Sequence, residues 1–133
     1  QLKGKIYTPY ICVTGTADDA VPYYAPGTPN GELLQNAWNL YLDYAGFEVP
    51  EKTDMQRYPV FGLSLELRER IETVKHHAME VGERCQDGHP LIRLVAVENF
   101  GHWNFVPGAR QMWDFFKHWR RDPDTLESVY CNQ

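Results

Sequence analysis

Two short loops hold the residues best suited to chemistry. Asp18 lies in Gly15-Thr16-Ala17-Asp18-Asp19-Ala20-Val21-Pro22, and His102 lies in Glu98-Asn99-Phe100-Gly101-His102-Trp103. Each loop follows an apolar, β-prone run, so each ionisable side chain falls at the carboxyl end of an expected strand, where open α/β sheets build their sites. A carboxylate and an imidazole meeting there supply two parts of a nucleophilic triad. The carboxylate accepts a hydrogen bond from one ring nitrogen and fixes the tautomer, and the other nitrogen takes a proton from a nucleophile. Singly, an Asp in a turn is an ordinary turn former and a His after a strand an ordinary surface residue. Jointly, in this order and followed by an amphipathic segment, they point to an acid and a base. The nucleophile does not show itself in the same way. The only serines are Ser64 and Ser128. Ser64 sits in Gly62-Leu63-Ser64-Leu65-Glu66, between acid and base in sequence and without the second glycine of a Gly-x-Ser-x-Gly elbow, and Ser128 lies in the last residues of the chain.

Other chemistries fit less well. His76, His77, His89 and His102 could suggest a metal, but adjacent His76 and His77 would face opposite sides of a strand, and no His-Glu-x-x-His helix exists. Gly15-Thr16-Ala17 has neither the Gly-x-Gly-x-x-Gly spacing nor a Walker lysine. No cofactor and no metal are expected.

The elements that must position the two loops read as follows. Residues 5–14 are β-branched and aromatic and stop at Gly15, which predicts a strand with Pro9 near its start. Residues 15–31 form a Pro- and Gly-rich loop. Leu34, Trp38, Tyr41 and Ala45 recur at helical spacing over 31–45, with Asn30 or Thr28 as cap and Gly46 at the left-handed C-terminal position. Residues 47–62 are irregular and charged. Over 63–84 helical and strand patterns compete. The reading taken is a helical turn over 63–70 and a strand over about 72–82, because the Gln86–Pro90 turn leads into the apolar run 91–97 as a hairpin would. A final helix over 109–119 turns Met112, Phe116 and Trp119, with Trp113 beside them, toward a core, and 123–133 read as a tail. This order of elements is α/β, and the near-continuous apolar run 91–97 asks for a sheet covered on both faces.

The chain has 133 residues, a formal net charge of −5 and 43% hydrophobic residues, enough for one packed domain. Its acidic balance, without a long basic run, disfavours nucleic acid. No apolar run approaches the roughly 20 residues of a membrane span, so a soluble domain is expected. Cys12, Cys85 and Cys131 lack Cys-x-x-Cys spacing and read as ordinary thiols, with a Cys85–Cys131 bridge open to a secreted protein. The first residues carry neither Met nor an apolar signal core, so the sequence is expected to start after processing or partway through a longer protein, and the compartment is not legible.

Gly15-x-x-Asp18-x-x-Val21-Pro22, the Gly101-His102 step and the closing helix resemble the C-terminal part of an α/β-hydrolase, nearest to the secreted esterases grouped with polyhydroxybutyrate depolymerases and feruloyl esterases. The resemblance covers residues 5–22 and 91–119 and departs at Thr14, where those enzymes usually have a histidine. It implies that residues 1–122 are the C-terminal portion of an α/β-hydrolase-type three-layer sandwich. Asp18 would be the triad acid and His102 the base, while Asp19 falls on a position that varies. Tyr23, Tyr24 and Trp103 would flank an ester-binding cleft. It further implies a partner, the missing N-terminal half with the nucleophilic Ser, without which the chain alone is inactive. It makes secretion the expected localisation. A half-sheet would also expose an edge, which makes a homodimer the expected self-association. The alternative is a non-catalytic, aromatic-rich carbohydrate-binding or interaction module, since four Trp, eight Tyr and six Phe could supply stacking surfaces.

Overall fold

The computed structural model describes residues 8–23, 33–51, 53–58 and 60–132. Its elements run β1 (Tyr10–Gly15), α1 (Leu33–Tyr44), β2 (Leu67–Ile71), β3 (Met79–Gln86), β4 (His89–Val97), α2 (Gly108–Phe116), β5 (Trp119–Arg121) and β6 (Ser128–Tyr130). The architecture is mixed α/β. A four-stranded sheet has the order β1-β4-β3-β2, with β1 parallel to β4 and the other neighbours antiparallel, and β5 pairs with β6 separately.

β4 is the centre of the molecule because its side chains are apolar on both faces. Ile92, Leu94 and Ala96 pack into a cluster with Leu42 of α1 and with Val60, Phe61, Leu63 and Leu65. Val95 and Val97 point the other way, onto Met79, Val81, Ile11 and Val13. α2 covers that second face: Gly108 lies so close to Val13 that an added Cβ would sit 3.0 Å from its methyl group. Arg93, on the same face, stacks over the Phe115 ring, donates to the Gln111 carbonyl and ion-pairs with the buried Glu83. One helix on each face therefore completes the burial that the 91–97 run asks for.

Several expectations are corrected. Residues 63–70 form no helical turn: Leu67–Ile71 is a strand, drawn into the sheet by pairing with β3 from Leu67↔Glu83 to Ile71↔Met79. The strand expected over 72–82 begins later, at Met79, and runs to Gln86. Its register is set from the turn, where Asp87 and Gly88 both have positive φ (52° and 79°), the two-residue hairpin geometry that matches strand twist. Pro90 is admitted because the ladder shifts register beside it and β1 pairs only from Ile92 onward. The closing helix stops at Phe116, and Trp119 opens β5 instead. The helix also presents a different face from the one expected. Phe115 is the fully buried ring, while Met112, Trp113 and Phe116 are exposed, because the close seat of Gly108 on Val13 turns the face that carries Phe115, seven residues on, toward the sheet, where Arg93 stacks over it. Residues 123–133, expected as a tail, carry β6. The described residues of 47–62 do lack regular structure, yet they bring Val60 and Phe61 into the core.

In α1, Ala45 is buried and Gly46 has φ 81° as its capping position requires. The side chains of Leu34 and Trp38, and the cap candidates Thr28 and Asn30, lie outside the described residues. Cys12, Cys85 and Cys131 are all free thiols. Among the described residues no helix is long and apolar enough to cross a membrane.

Candidate functional site

β1 and β4 are parallel neighbours, so their carboxyl ends lie side by side, and Gly15 lets the two following loops touch. A Cβ on Gly15 would stand 2.0 Å from the Phe100 carbonyl oxygen and 2.7 Å from that of Gly101, so no other residue fits without moving backbone. Backbone bonds then lace the loops together: Thr16 N–H donates to the Val97 carbonyl (2.9 Å) and Ala17 N–H to that of Phe100 (3.0 Å). The Thr16 hydroxyl accepts from Asn99 N–H (2.9 Å). Gly101 has open space where a Cβ would go, so the close approach belongs to Gly15 alone.

This lacing brings Asp18 and His102, 84 residues apart in sequence, to a hydrogen bond of 2.8 Å between His102 Nδ1 and Asp18 Oδ2. The other carboxylate oxygen accepts from the backbone N–H groups of Ala20 (2.9 Å) and Val21 (2.8 Å), which turns the loop back on itself. Burial of Asp18 pushes its pKa up, but the Val21 N–H, His102 and the Ala20 N–H outweigh it and hold the carboxyl below its ordinary range. With an ionised carboxylate as acceptor, Nδ1 carries the proton and Nε2 is left as the basic nitrogen. The Asp18 side chain is 7% exposed and that of His102 is 59% exposed, so the carboxylate is enclosed while the imidazole stays reachable.

The pair lines a cleft of about 480 Å³ shared with Cys12, Val13, Thr14, Val21, Trp103 and Asn104. Trp103 is 85% exposed at its lip. Cys12 is no ready nucleophile, because burial pushes its thiol up to about 11. Neither Ser64 nor Ser128 lines the cleft. Asp19 is exposed beside the pair.

Tyr23 is not a cleft wall. It is buried in the core cluster under the cleft, its ring against Phe61 at 4.6 Å and its hydroxyl accepting from Phe61 N–H at 2.6 Å. A Pro-rich loop gives no periodicity from which that inward turn could be read. Tyr24 lies outside the described residues. Among the described residues no three His, Cys, Asp or Glu side chains group as metal ligands.

Sequence reasoning missed a support for the His102 loop. His77 Nδ1 donates to the Glu98 carbonyl (2.9 Å), and Arg70 grips both oxygens of the Glu98 side chain at 2.8 and 3.0 Å. These partners come from the β2–β3 region, where the helix reading hid the alternation that sets Arg70 opposite Glu80 and bonds the two. Comparisons with protein-family models, with curated proteins and with solved structures return no match for this chain.

Proposed function

We propose that Asp18 and His102 are the acid and base of a serine ester hydrolase, acting on a carboxylic ester through an acyl-enzyme. The observation that carries this reading is the 2.8 Å Nδ1–Oδ2 bond across adjacent parallel strands, with Nε2 left over a solvent-reachable cleft. In the proposed cycle Nε2 takes the proton of a serine hydroxyl as that oxygen attacks the ester carbonyl. The imidazolium, stabilised by Asp18, then gives the proton to the leaving alcohol, and water repeats the sequence to release the acid.

The serine and the oxyanion donors are proposed to come from an upstream half, within a three-layer hydrolase sandwich. Among the described residues β1 is an edge strand, so further parallel strands could add at its open side with their carboxyl ends on the same rim. Without that half, the same edge is where two copies would pair. The test is hydrolysis of p-nitrophenyl butyrate by a polypeptide joining this chain to the serine-bearing half. His102→Ala is expected to lower kcat about 10⁴-fold and Asp18→Asn nearly as much, with folding retained. The chain by itself is expected to show no His102-dependent turnover. Near wild-type rates in either variant of the joined polypeptide reject the reading.

A second reading, a non-catalytic module that stacks sugars, draws on the exposure of Trp103 and Trp113. Saturable quenching of tryptophan fluorescence by an oligosaccharide, unchanged in His102→Ala, would favour it.

A further inference from the structure

Beside the cleft that holds Asp18 and His102 lies a second one, of about 340 Å³, lined by Val13, Trp103, Phe105, Val106, Ala109 and Met112, with Asn104 as its one polar wall residue. Val13, Trp103 and Asn104 belong to both clefts, so the slot is a continuation of the site and not a separate hollow. Its size is at the lower end for small-molecule pockets, room for one small ring system or a short chain. Its composition excludes more. Among the described residues no lining side chain carries a charge, and the nearest charge in the adjoining cleft is the enclosed Asp18 carboxylate, which repels anions. A neutral, apolar group is what such walls reward, through removal of Trp103, Val106 and Met112 from water, where they now stand 85%, 82% and 41% exposed.

Which end of an ester this would be follows from the direction of proton transfer. An imidazole that has taken a proton from the nucleophile must deliver it to the leaving oxygen, so the group on that oxygen lies against the imidazole. The slot begins at the residue that follows His102 in the chain. Resting on the acid–base reading above, we infer that this slot is the leaving-group subsite and takes a neutral aryl or short alkyl alcohol moiety, with Trp103 closing over it and Met112 at its far wall.

The test separates this inference from the catalytic reading because it is a binding measurement on the chain as it stands. 2-Naphthol is titrated into isotopically labelled protein and followed by ¹H–¹⁵N NMR. The expected result is saturable shifts at the Trp103 indole N–H and at Val106 and Ala109 amides. Met112→Glu, which alters an exposed side chain, should weaken that binding at least 10-fold, Asp124→Ala, an exposed change outside both clefts, should change it less than 3-fold, and glucose should produce no shifts there. Absence of shifts at these groups up to the solubility of 2-naphthol, or equal affinity in Met112→Glu, overturns the subsite. If binding follows the expected pattern while His102→Ala of the joined polypeptide keeps its hydrolytic rate, the catalytic reading fails and the apolar subsite stands.

Discussion

At the carboxyl end of β4, His102 stands mostly exposed and spends Nδ1 on a buried carboxylate. At the amino end, about 26 Å away along a nine-residue strand, His89 lies flat on Tyr130 with ring centroids 4.2 Å apart, and His118 stacks on the same ring at 5.4 Å while its Nδ1 donates to the Cys131 carbonyl. The same side chain thus serves two ends. Where it meets a carboxylate whose other oxygen is already occupied, its ring is oriented as the proposed base requires. Where it meets aromatic faces and a backbone carbonyl, it is packing for the small β5–β6 sheet. A histidine's partner, more than its presence beside a strand, decides which role it takes.

That contrast can be broken most decisively by activity. In a polypeptide joining this chain to the proposed serine-bearing half, His102→Ala is expected to cost about 10⁴-fold in kcat, while His89→Ala and His118→Ala stay within about 3-fold. A comparable loss from His89 would abolish the distinction between the ends. Stability sharpens it next. Gly15→Ala forces a Cβ into the Phe100 carbonyl and is expected to destabilise by about 3 kcal/mol, whereas Gly101→Ala meets nothing and should stay within about 0.5 kcal/mol. Chemical denaturation of both variants checks this, and equal values would remove Gly15 as the point where the two loops are joined.

The smallest effect is in acid. Asp18 is held below the ordinary carboxylate range in the folded protein, so its contribution is complete above the unfolded value of about 3.9 and disappears as pH falls through the lower folded value. The stability gap between wild type and Asp18→Asn should therefore close as pH falls from about 4 through the lowered folded value. Thermal melts across that range measure it, and a gap that persists at the acid end speaks against a depressed Asp18.

The legible parts of this fold were those with one dominant local signal. Residues 91–97 read as a doubly covered strand, and the turn expected over Gln86–Pro90 is present but narrowed to Asp87–Gly88, since Gln86, His89 and Pro90 join the ladder. The α1 pattern ends at a glycine that does adopt positive φ. Asp18 and His102 could be picked out because each follows such a strand, and the structure brings them together. Elsewhere the deciding partner lies far along the chain. Residues 67–71 pair as a strand only because β3 is beside them, and no local pattern reveals that Arg70 will meet Glu80 and Glu98. On α2 the apolar residues spread round the helix, so the choice of Phe115 as the buried ring rests with the distant partners on that face, Val13 against Gly108 and Arg93 over the ring. Tyr23 points inward because Phe61 offers its ring and an N–H, a contact across 38 residues. Ser128 and Tyr130 form β6 because Trp119–Arg121 give them a ladder to join.

The most direct measurement is the protonation of His102 in the chain itself, by ¹⁵N NMR of the imidazole ring at neutral pH. A proton held on Nδ1 is predicted, seen as a low-field N–H signal that Asp18→Asn removes or shifts while Asp19→Asn leaves it in place. A ring with its Nδ1 bare and the proton on Nε2, or a signal indifferent to Asp18, would contradict it.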